Sequence, residues 1–532
     1  MRSPGSRSAA GYPHSLSFST TMNHHWPNTQ YTHPARPKYD GSRHQFTAEE
    51  LLQTLDGVSV AAKWKPVVTR KVPDPTPEQL QEIEKELEQR RQWEERRLAR
   101  DGPRPPTPPP SPPQEEVRDQ ETAEQKEEPI KQWIEAHQTP FNPDGTHSLL
   151  RWREDLCQLE DERSKSAASI MLGVALIRQE NRTADPKASG ETVTSPDVVE
   201  LIWALIFYGL RSGTLGMSPN RTAQGFLATP LCSRSHHGDL SELFRLHVWQ
   251  PHEYRGKPEI AIHSHQSFAR SWVLGGTGID HQYSVTEMAE QKDATFAKFK
   301  IQWETEDEDK VGVTYKTYQR RSIIENQQIW MREKETSVET HTKDMSYSVL
   351  SAVYHRSQIP PEELHATLFS FDAYHGYDKH AGVLGPVDVQ KFSQDRDPHG
   401  ITAPYLATLA ESLRHFDFLM DKVREYSSDA SRDWKSAQGA IQEALELFEP
   451  GGTLTEAQCC LDILRAEQTK LATLVENDER STPRAEPLSD AAASEHSGWM
   501  LDANGYSATA VPDKAQMLRK RNPVLIDDLP EG

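Results

Sequence analysis

The sequence predicts an α+β protein in which a central β-sandwich or β-barrel is flanked by helical segments and by long polar tails. Between residues 243 and 386, short runs alternate apolar and polar residues and are separated by glycine, proline or acidic turns. This pattern is typical of antiparallel strands. On both sides of this region apolar residues recur at helical spacing. The two ends of the chain have no sustained period, so we expect an ordered α+β region between disordered tails.

The composition excludes some classes of function. The chain has 532 residues, of which 35% are hydrophobic and 37 are prolines, and its formal net charge is −20. Such a polar chain does not bury enough apolar surface along its whole length to be ordered throughout. The acid excess argues against a nucleic-acid-binding surface, because phosphates are bound by clustered cations. Four scattered cysteines do not form a disulfide framework, which favours a reducing compartment.

The sequence indicates neither secretion nor a membrane partner. The first thirty residues lack the apolar core of a secretory signal. The longest apolar run, Val198–Leu210, is shorter than the roughly twenty residues that cross a bilayer, and we interpret it as a buried helix. We therefore expect a cytoplasmic protein. Nuclear entry stays open, because a small basic cluster lies at Arg519–Arg521.

Residues 1–129 are predicted to be a disordered region with embedded elements. Residues 76–100 are a highly charged helix by propensity, and its apolar stripe is too thin and broken for a stable coiled coil. Residues 102–116 are proline-rich and should be extended polyproline II. Each is either a plain spacer or a docking site for protein partners. A shorter helix fits Phe46–Val60, where Thr47 and Glu50 match a capping box.

The ordered part divides into three predicted segments. Residues 130–242 are expected to be a helical segment that packs on the barrel, with a helix start at Ser195-Pro196. Residues 243–386 form the β-region. Residues 400–476 carry the C-terminal helices, the first of which is capped by Thr402. Residues 477–532 are predicted to be a second disordered tail.

A His-x-His pair, His263 and His265, lies at the centre of the densest β-type stretch. Residues two apart in a strand share a face, and two neutral imidazoles on one face can bind a single metal ion. Such a site needs a third ligand from elsewhere in the fold. His355 is the best placed, because it ends one β-like run and precedes another. With 22 histidines in the chain, a purely structural role for all three stays open.

Two segments give residues 243–386 a resemblance to a known family. The first is RLHVWQP followed by IAIHSHQSFARSWVLGGTGIDHQY, and the second is YHRSQIPPEELHATLFSFDAYHGYD. Together they resemble the cupin superfamily of jelly-roll proteins, and within it the cysteine dioxygenase-like group. The resemblance implies a double-stranded β-barrel. It also implies a metal site for Fe(II) or another divalent ion on His263, His265 and His355.

Several positions depart from the pattern of that group. Some cupins place a glutamate ligand where this chain has Ala269 and Arg270. The group's catalytic Ser-x-His-x-Tyr pattern would fall on Thr367, Phe369 and Phe371, so ordinary cysteine dioxygenation is not expected. Arg270 has two interpretations: it binds the carboxylate or phosphate of a substrate, or it points away from the histidines, since its parity along an unbroken strand is opposite to theirs.

Two functions are compatible with the sequence, and no catalytic residue is assigned. The first is a ligand-binding or scaffold module that retains a three-histidine metal site and binds a small molecule. The second is a non-haem metal-dependent dioxygenase-like enzyme that acts on a small anionic substrate. The replaced helper positions favour the first, whereas the three retained histidines favour the second.

Overall fold

Helices and antiparallel strands make up most of the described part of the chain, in agreement with the predicted mixed class. The computed structural model describes residues 41–62, 123–137, 146–183, 190–192, 194–236, 239–251, 257–303, 321–396, 398, 400–428, 430–449, 453–454 and 457–481. Of these, 41–476 belong to one compact unit.

The helices lie mainly before and after the strands. In chain order they are α1 (Ala48–Ala62), α2 (Ala123–Ala136), α3 (Leu149–Asp155), α4 (Glu162–Thr183), α5 (Pro196–Arg211), α6 (Ala403–Tyr426), α7 (Trp434–Glu446) and α8 (Gln458–Ser481).

The strands are concentrated between residues 220 and 395. In chain order they are β1 (Gln45–Thr47), β2 (Thr146–Ser148), β3 (Gly190–Thr192), β4 (Asn220–Arg221), β5 (Leu227–His236), β6 (Asp239–Trp249), β7 (Ser267–Gly275), β8 (Gly278–Met288), β9 (Phe296–Trp303), β10 (Arg321–His341), β11 (Ser346–Val349), β12 (Tyr354–Gln358), β13 (His365–Tyr377), β14 (Val383–Gly385) and β15 (Lys391–Asp395).

Two antiparallel sheets contain nearly all of these strands. One has the order β3-β11-β7-β13-β6-β5-β4, and the other has the order β12-β8-β10-β9-β14, with β15 paired to β10. The short strands β1 and β2 pair with each other. The sheet structure is curled into a half-barrel. Strands of both sheets line the cavity that carries the candidate site.

The seven-stranded sheet has two unlike faces, because successive side chains of a strand point in opposite directions. Phe244, Leu246 and Val248 of β6 and Trp272 of β7 are fully buried in the main core together with α4, α5 and α6. The alternate residues of β6 line the cavity instead. Helix packing on one face therefore leaves the other face available for a site.

Helix α5 is the buried helix that the run Val198–Leu210 predicts. Its residues Val199, Leu205 and Ile206 have no exposed surface, and Pro196 lies in its first turn. Among the described helices, none has the length and apolarity that crossing a membrane requires.

The structure corrects the prediction of disorder for part of residues 1–129. Helix α1 packs on the main core with Leu51, Leu55 and Val58 fully buried. Thr47 and Glu50 form the predicted capping box, since the backbone N–H of Glu50 donates to Thr47 Oγ1 at 3.1 Å and the N–H of Thr47 donates to Glu50 Oε2 at 3.0 Å. Helix α1 is covered by β5 and α4, which lie far away in sequence. The charged helix 76–100, the linker 102–116 and most of the tail 477–532 lie outside the described residues.

A second correction concerns residues 220–242, which were predicted as part of the helical segment. They form β4, β5 and the start of β6. The pairing of β5 with β6 shifts register between Pro230 and Cys232. A bulge of this kind accommodates a proline, which has no N–H to donate to the ladder. The strands also continue past residue 386, to β15.

The C-terminal helices begin where the sequence places them. The side chain of Thr402 accepts a hydrogen bond from the backbone N–H of Tyr405 at 3.3 Å, and Pro404 lies in the first turn of α6. Helix α6 packs on β7 and β13, with Leu413 beside Gly275, and Phe416 contacts Phe448 of the C-terminal helical segment at a ring centroid distance of 5.8 Å.

Candidate metal site and ligand cavity

The backbone itself places His263 next to His355. The two residues form an isolated antiparallel bridge, in which the N–H of His263 donates to the carbonyl of His355 at 3.0 Å and the N–H of His355 donates back at 2.8 Å. Directly opposed residues of an antiparallel pair project their side chains to the same face. His265 lies two positions further along the chain, and its carbonyl accepts a hydrogen bond from the N–H of Ala352 at 2.8 Å.

The three predicted histidines converge. One ring nitrogen of each lies within 4.8 Å of those of the other two, and the ring centroids are 4.7 to 4.9 Å apart. The Nε2 atoms of His265 and His355 are 2.9 Å apart. Two nitrogens bound to one ion at about 2.1 Å and at right angles stand about 3 Å apart, so this spacing fits two ligands of one metal ion. Among the histidines, cysteines, aspartates and glutamates of the described part of the chain, these three histidines are the group whose side chains lie close enough together to share one ion.

Hydrogen bonds fix which ring nitrogen of two histidines is available. The Nδ1 atom of His263 lies 2.9 Å from the carbonyl oxygen of Ala261, which can only accept, so the proton is on Nδ1. The Nδ1 atom of His355 is 2.8 Å from Asp280 Oδ1. In both rings Nε2 is then the unprotonated nitrogen, whose lone pair a metal could bind. A carboxylate behind a histidine ligand is the usual second partner in metal sites, where it holds the ring in place and raises its basicity.

Asp280 is itself a buried residue, with 2% of its surface exposed. It lies on β8, and its Oδ1 atom also accepts a hydrogen bond from the hydroxyl of Ser357 at 3.3 Å. The strand register explains why Asp280 contacts both residues. Ser357 of β12 pairs directly with Asp280, and His355 lies two residues before Ser357, on the same face.

Burial keeps these imidazoles in the form that binds metal. Loss of solvent, followed by the proximity of His355, lowers the pKa of His263 to about 3. Loss of solvent, followed by the proximity of His263 and His355, holds the pKa of His265 well below its ordinary value. Both rings are therefore neutral at pH 7, and a neutral ring does not have to lose a proton before it binds an ion.

Arg270 lies on the opposite face of β7 from the cavity. It donates to the carbonyl of Glu180 at 2.7 Å and to the hydroxyl of Thr194 at 2.7 Å, and its guanidinium lies over the ring of Trp272 at 5.0 Å. It is not among the residues that line the cavity. The position favours the outward interpretation over a substrate-binding role, because β7 keeps its alternation at this residue and the side chain points toward the helices.

The positions of the replaced helper residues do face the site. Thr367, Phe369 and Phe371 of β13 line the cavity. The ring centroid of Phe371 is 4.8 Å from that of His265, and the ring centroid of Phe369 is 5.8 Å from it. An apolar wall therefore stands where the resembled group has a histidine and a phenol. The chemistry of that group's helper residues has no counterpart at these positions.

The cavity beside the histidines has a volume of about 590 Å³, within the range of small-molecule sites. A fourth histidine, His247 of β6, lies in its wall between Phe226 and Phe369, at ring centroid distances of 4.1 and 4.7 Å. Burial holds the pKa of His247 well below its ordinary value. Its Nε2 atom is buried without a hydrogen-bond partner. The cavity thus contains a neutral imidazole next to the three-histidine group.

Sequence reasoning missed Asp280 and His247. Asp280 could have been found only with the register of β8 against β12, which the sequence does not contain. His247 had a signal, because its parity within β6 is that of Arg245 and Trp249, opposite to the apolar residues Phe244 and Leu246.

No protein-family model matches the chain, and no curated protein matches it either. The fold and site are therefore interpreted from their own geometry.

Proposed function

We propose that the protein is a cupin-like metal-binding protein that holds a divalent ion on His263, His265 and His355 and binds a small molecule beside it. The observation that carries the proposal is the convergence of three imidazoles, of which His263 and His355 are buried and His265 is half-buried, with His355 oriented by the buried carboxylate of Asp280. Burying polar groups together costs free energy unless they are paired or bind an ion. One ion would coordinate all three imidazoles at once.

The cupin-like part of the proposal is supported by where the site lies. The sheet structure is a curled antiparallel half-barrel, and the three histidines lie on its inner, cavity-lining face. The pairing of His263 with His355, which are distant in sequence, is the arrangement that a double-stranded barrel would produce.

The donor set is compatible with Fe(II) and with other divalent ions that accept imidazole, such as Zn²⁺, Co²⁺ or Ni²⁺. A bound ion would act as a Lewis acid toward an oxygen, nitrogen or sulfur atom of the ligand. The chain's own contribution is to orient His355 through Asp280, to keep the rings of His263 and His265 neutral, and to shield one side of the site with Phe369 and Phe371.

A dioxygenase-like enzyme is the second candidate. It is favoured by one observation: three protein ligands leave positions open on the ion, and the histidines border a cavity large enough for a second molecule. Nitric oxide, a stable substitute for oxygen, tests this candidate. If Fe(II)-loaded protein gives the electron paramagnetic resonance spectrum of an iron-nitrosyl centre, an open position exists. Absence of that spectrum in iron-loaded protein would exclude the enzyme.

Metal analysis of the purified protein tests the primary proposal. We expect wild type to contain one equivalent of a divalent metal and the variants His263→Ala and His355→Ala to lose it. His281→Ala is the matched control, because His281 neighbours Asp280 in sequence but its Nδ1 atom contacts Glu335 at 2.8 Å, outside the three-histidine group. Wild type without metal after incubation with each ion, or full metal content in both ligand variants, would contradict the proposal.

A further inference from the structure

The cavity wall has an unusual charge. Its described lining residues include five cationic side chains and neither an aspartate nor a glutamate. The cationic residues are Arg245, Lys298, Lys300, Lys379 and Arg396. In a chain with 80 acidic and 60 basic residues, a wall of one sign requires an explanation.

The three lysines form one part of this wall. Lys298 and Lys300 lie two residues apart on β9, and residues two apart in a strand share a face. The Nζ atom of Lys298 donates to the carbonyl of His380 at 2.5 Å, which joins β9 to the segment that carries Lys379. Among the described residues, no carboxylate forms an ion pair with any of these three lysines.

The segment after Lys379 links this cationic wall to the metal site. The carbonyl of Gly382 accepts a hydrogen bond from the N–H of Ser264 at 2.8 Å, and Val383 forms a bridge with His263. The lysines and the histidines therefore border one continuous space, and one molecule can reach both.

The two arginines are held by protein contacts. The guanidinium of Arg245 lies over the rings of Phe369 and Phe371, 5.5 and 5.2 Å from their centroids. Arg396 donates to the side-chain oxygen of Asn220 at 2.7 Å. These two residues are 5% and 4% exposed. Their charges add to those of the three lysines in the cavity wall.

We infer that the ligand of this cavity is a small organic anion whose carboxylate or phosphate is bound at the lysines while its other end faces the three histidines. A wall of one charge attracts ligands of the opposite charge and raises their local concentration. Hydrogen bonds from an ammonium to an anionic oxygen are stronger than those between neutral groups. The inference rests on the proposed function in one respect only, because it places the second end of the ligand at the metal.

Isothermal titration calorimetry on the full chain tests this inference. The probes are succinate, inorganic phosphate and the neutral succinamide. We expect at least one of the two anions to bind and succinamide not to bind. The preferred anion would assign the acidic group as carboxylate or phosphate. Loss of charge-assisted hydrogen bonds in the double variant Lys298→Gln, Lys300→Gln should weaken that anion about tenfold or more.

A matched double variant controls for net charge. Lys334 and Lys391 are exposed, lie on strands of the same sheet and do not line the cavity. Lys334→Gln, Lys391→Gln should therefore keep the wild-type affinity. Equal binding of succinamide and succinate, equal loss in the two double variants, or no binding of either anion would overturn the inference.

Two further measurements show whether a loss of anion binding reflects the lysines, a folding defect of a variant, or the absence of the metal. Wild-type affinity should fall as sodium chloride is raised, because salt screens the lysines, and an affinity independent of salt would overturn the inference without any variant. Metal content is measured on the same samples. Bound metal without lysine-dependent anion binding overturns the inference alone. Lysine-dependent anion binding by protein that takes up no metal after incubation with each ion supports it and overturns the proposed function instead.

Discussion

Asp280 determines the orientation of the His355 ring in the site. The carboxylate is buried, accepts from His355 Nδ1 at 2.8 Å, and leaves Nε2 of that ring directed at His265. Without it, the ring of His355 could rotate and could exchange its two tautomers. The contribution of Asp280 to the site is therefore one of position and basicity, with no direct contact to the proposed ion.

For Asp280→Asn we expect the affinity for the divalent ion to fall about tenfold, at the lower end of what loss of such a partner costs, because the amide oxygen still accepts a hydrogen bond but carries no charge. Competition with a chelator of known affinity measures the change. Glu335→Gln is the control, since Glu335 contacts His281 instead of the three-histidine group. An unchanged affinity in Asp280→Asn would contradict this role.

The half-buried carboxylate of Asp417 affects stability. Burial raises the pKa of Asp417 from 3.8 to about 6, although Oδ2 accepts from the N–H of Gly276 at 2.9 Å. Its folded pKa lies above its unfolded pKa, so the folded state binds the proton more tightly. Ionised Asp417 therefore lowers the free energy of unfolding above pH 6, and the penalty disappears as the pH falls below about 4.

For Asp417→Asn we expect a gain in unfolding free energy relative to wild type, on the order of 1 kcal/mol at pH 8, that shrinks toward zero near pH 4. Urea unfolding at several pH values measures it. Asp462→Asn is the control, because Asp462 is exposed on α8 and should give no pH-dependent difference. A gain that grows as the pH falls would have the wrong sign and would refute the assignment.

At the scale of elements, the turn between β7 and β8 joins the two sheets and precedes Asp280 by four residues. Gly276 has a φ of +74°, and a Cβ atom there would lie 2.2 Å from the carbonyl oxygen of Leu364. Gly216 has a similar φ of +64°, but a Cβ atom there would meet no atom within 4 Å. The two glycines therefore separate the effect of backbone conformation from that of steric space.

We expect Gly216→Ala to lower the free energy of unfolding by about 1 kcal/mol, the cost of the left-handed conformation. Gly276→Ala should lower it by roughly 3 kcal/mol or more, because the backbone must also move. Urea unfolding midpoints compare the two. Equal losses would show that the turn has room for a side chain and would contradict the described packing.

The sequence predicts elements that are set by local signals, but it does not predict which elements are covered by partners that lie far away in the chain. Thr402, Pro404 and the periodicity after them predict α6 because caps and amphipathic spacing act within one turn. The sequence predicted helix α1 but not its place in the core, because the elements that cover it, β5 and α4, lie about a hundred residues or more away. Strand β5 was assigned to the helical segment although it pairs with the adjacent strand β6. The histidine pair was accessible through parity alone, and the same argument gave one of the two interpretations of Arg270 that the sequence left open. The role of Asp280 could be predicted only with the register of β8 against β12, which the sequence does not contain.

At the scale of the whole molecule, the seven-stranded sheet separates two environments. Its helix-facing side is an apolar core, and its other side lines a cavity that contains imidazoles and cationic side chains. The histidines come from both ends of the β-region, so an ion bound to them would tie distant strands together. Binding of metal to the folded state alone should therefore stabilise the fold.

With the divalent ion at 100 times its dissociation constant, we expect the free energy of unfolding to rise by about 2.7 kcal/mol, which corresponds to an increase in Tm of roughly 4 °C for an ordered region of this size. Differential scanning calorimetry with and without a chelator measures the shift. His263→Ala should show no shift. A chelator-insensitive Tm in metal-loaded wild type would contradict the coupling of site and fold.

The most direct measurement of the proposed site is anomalous difference density from crystals of the metal-loaded protein, collected at the absorption edge of the bound metal. We predict a single strong peak about 2.0–2.2 Å from one ring nitrogen of each of His263, His265 and His355. A peak at other residues, or density for a metal that contacts fewer than two of these histidines, would contradict the three-histidine site.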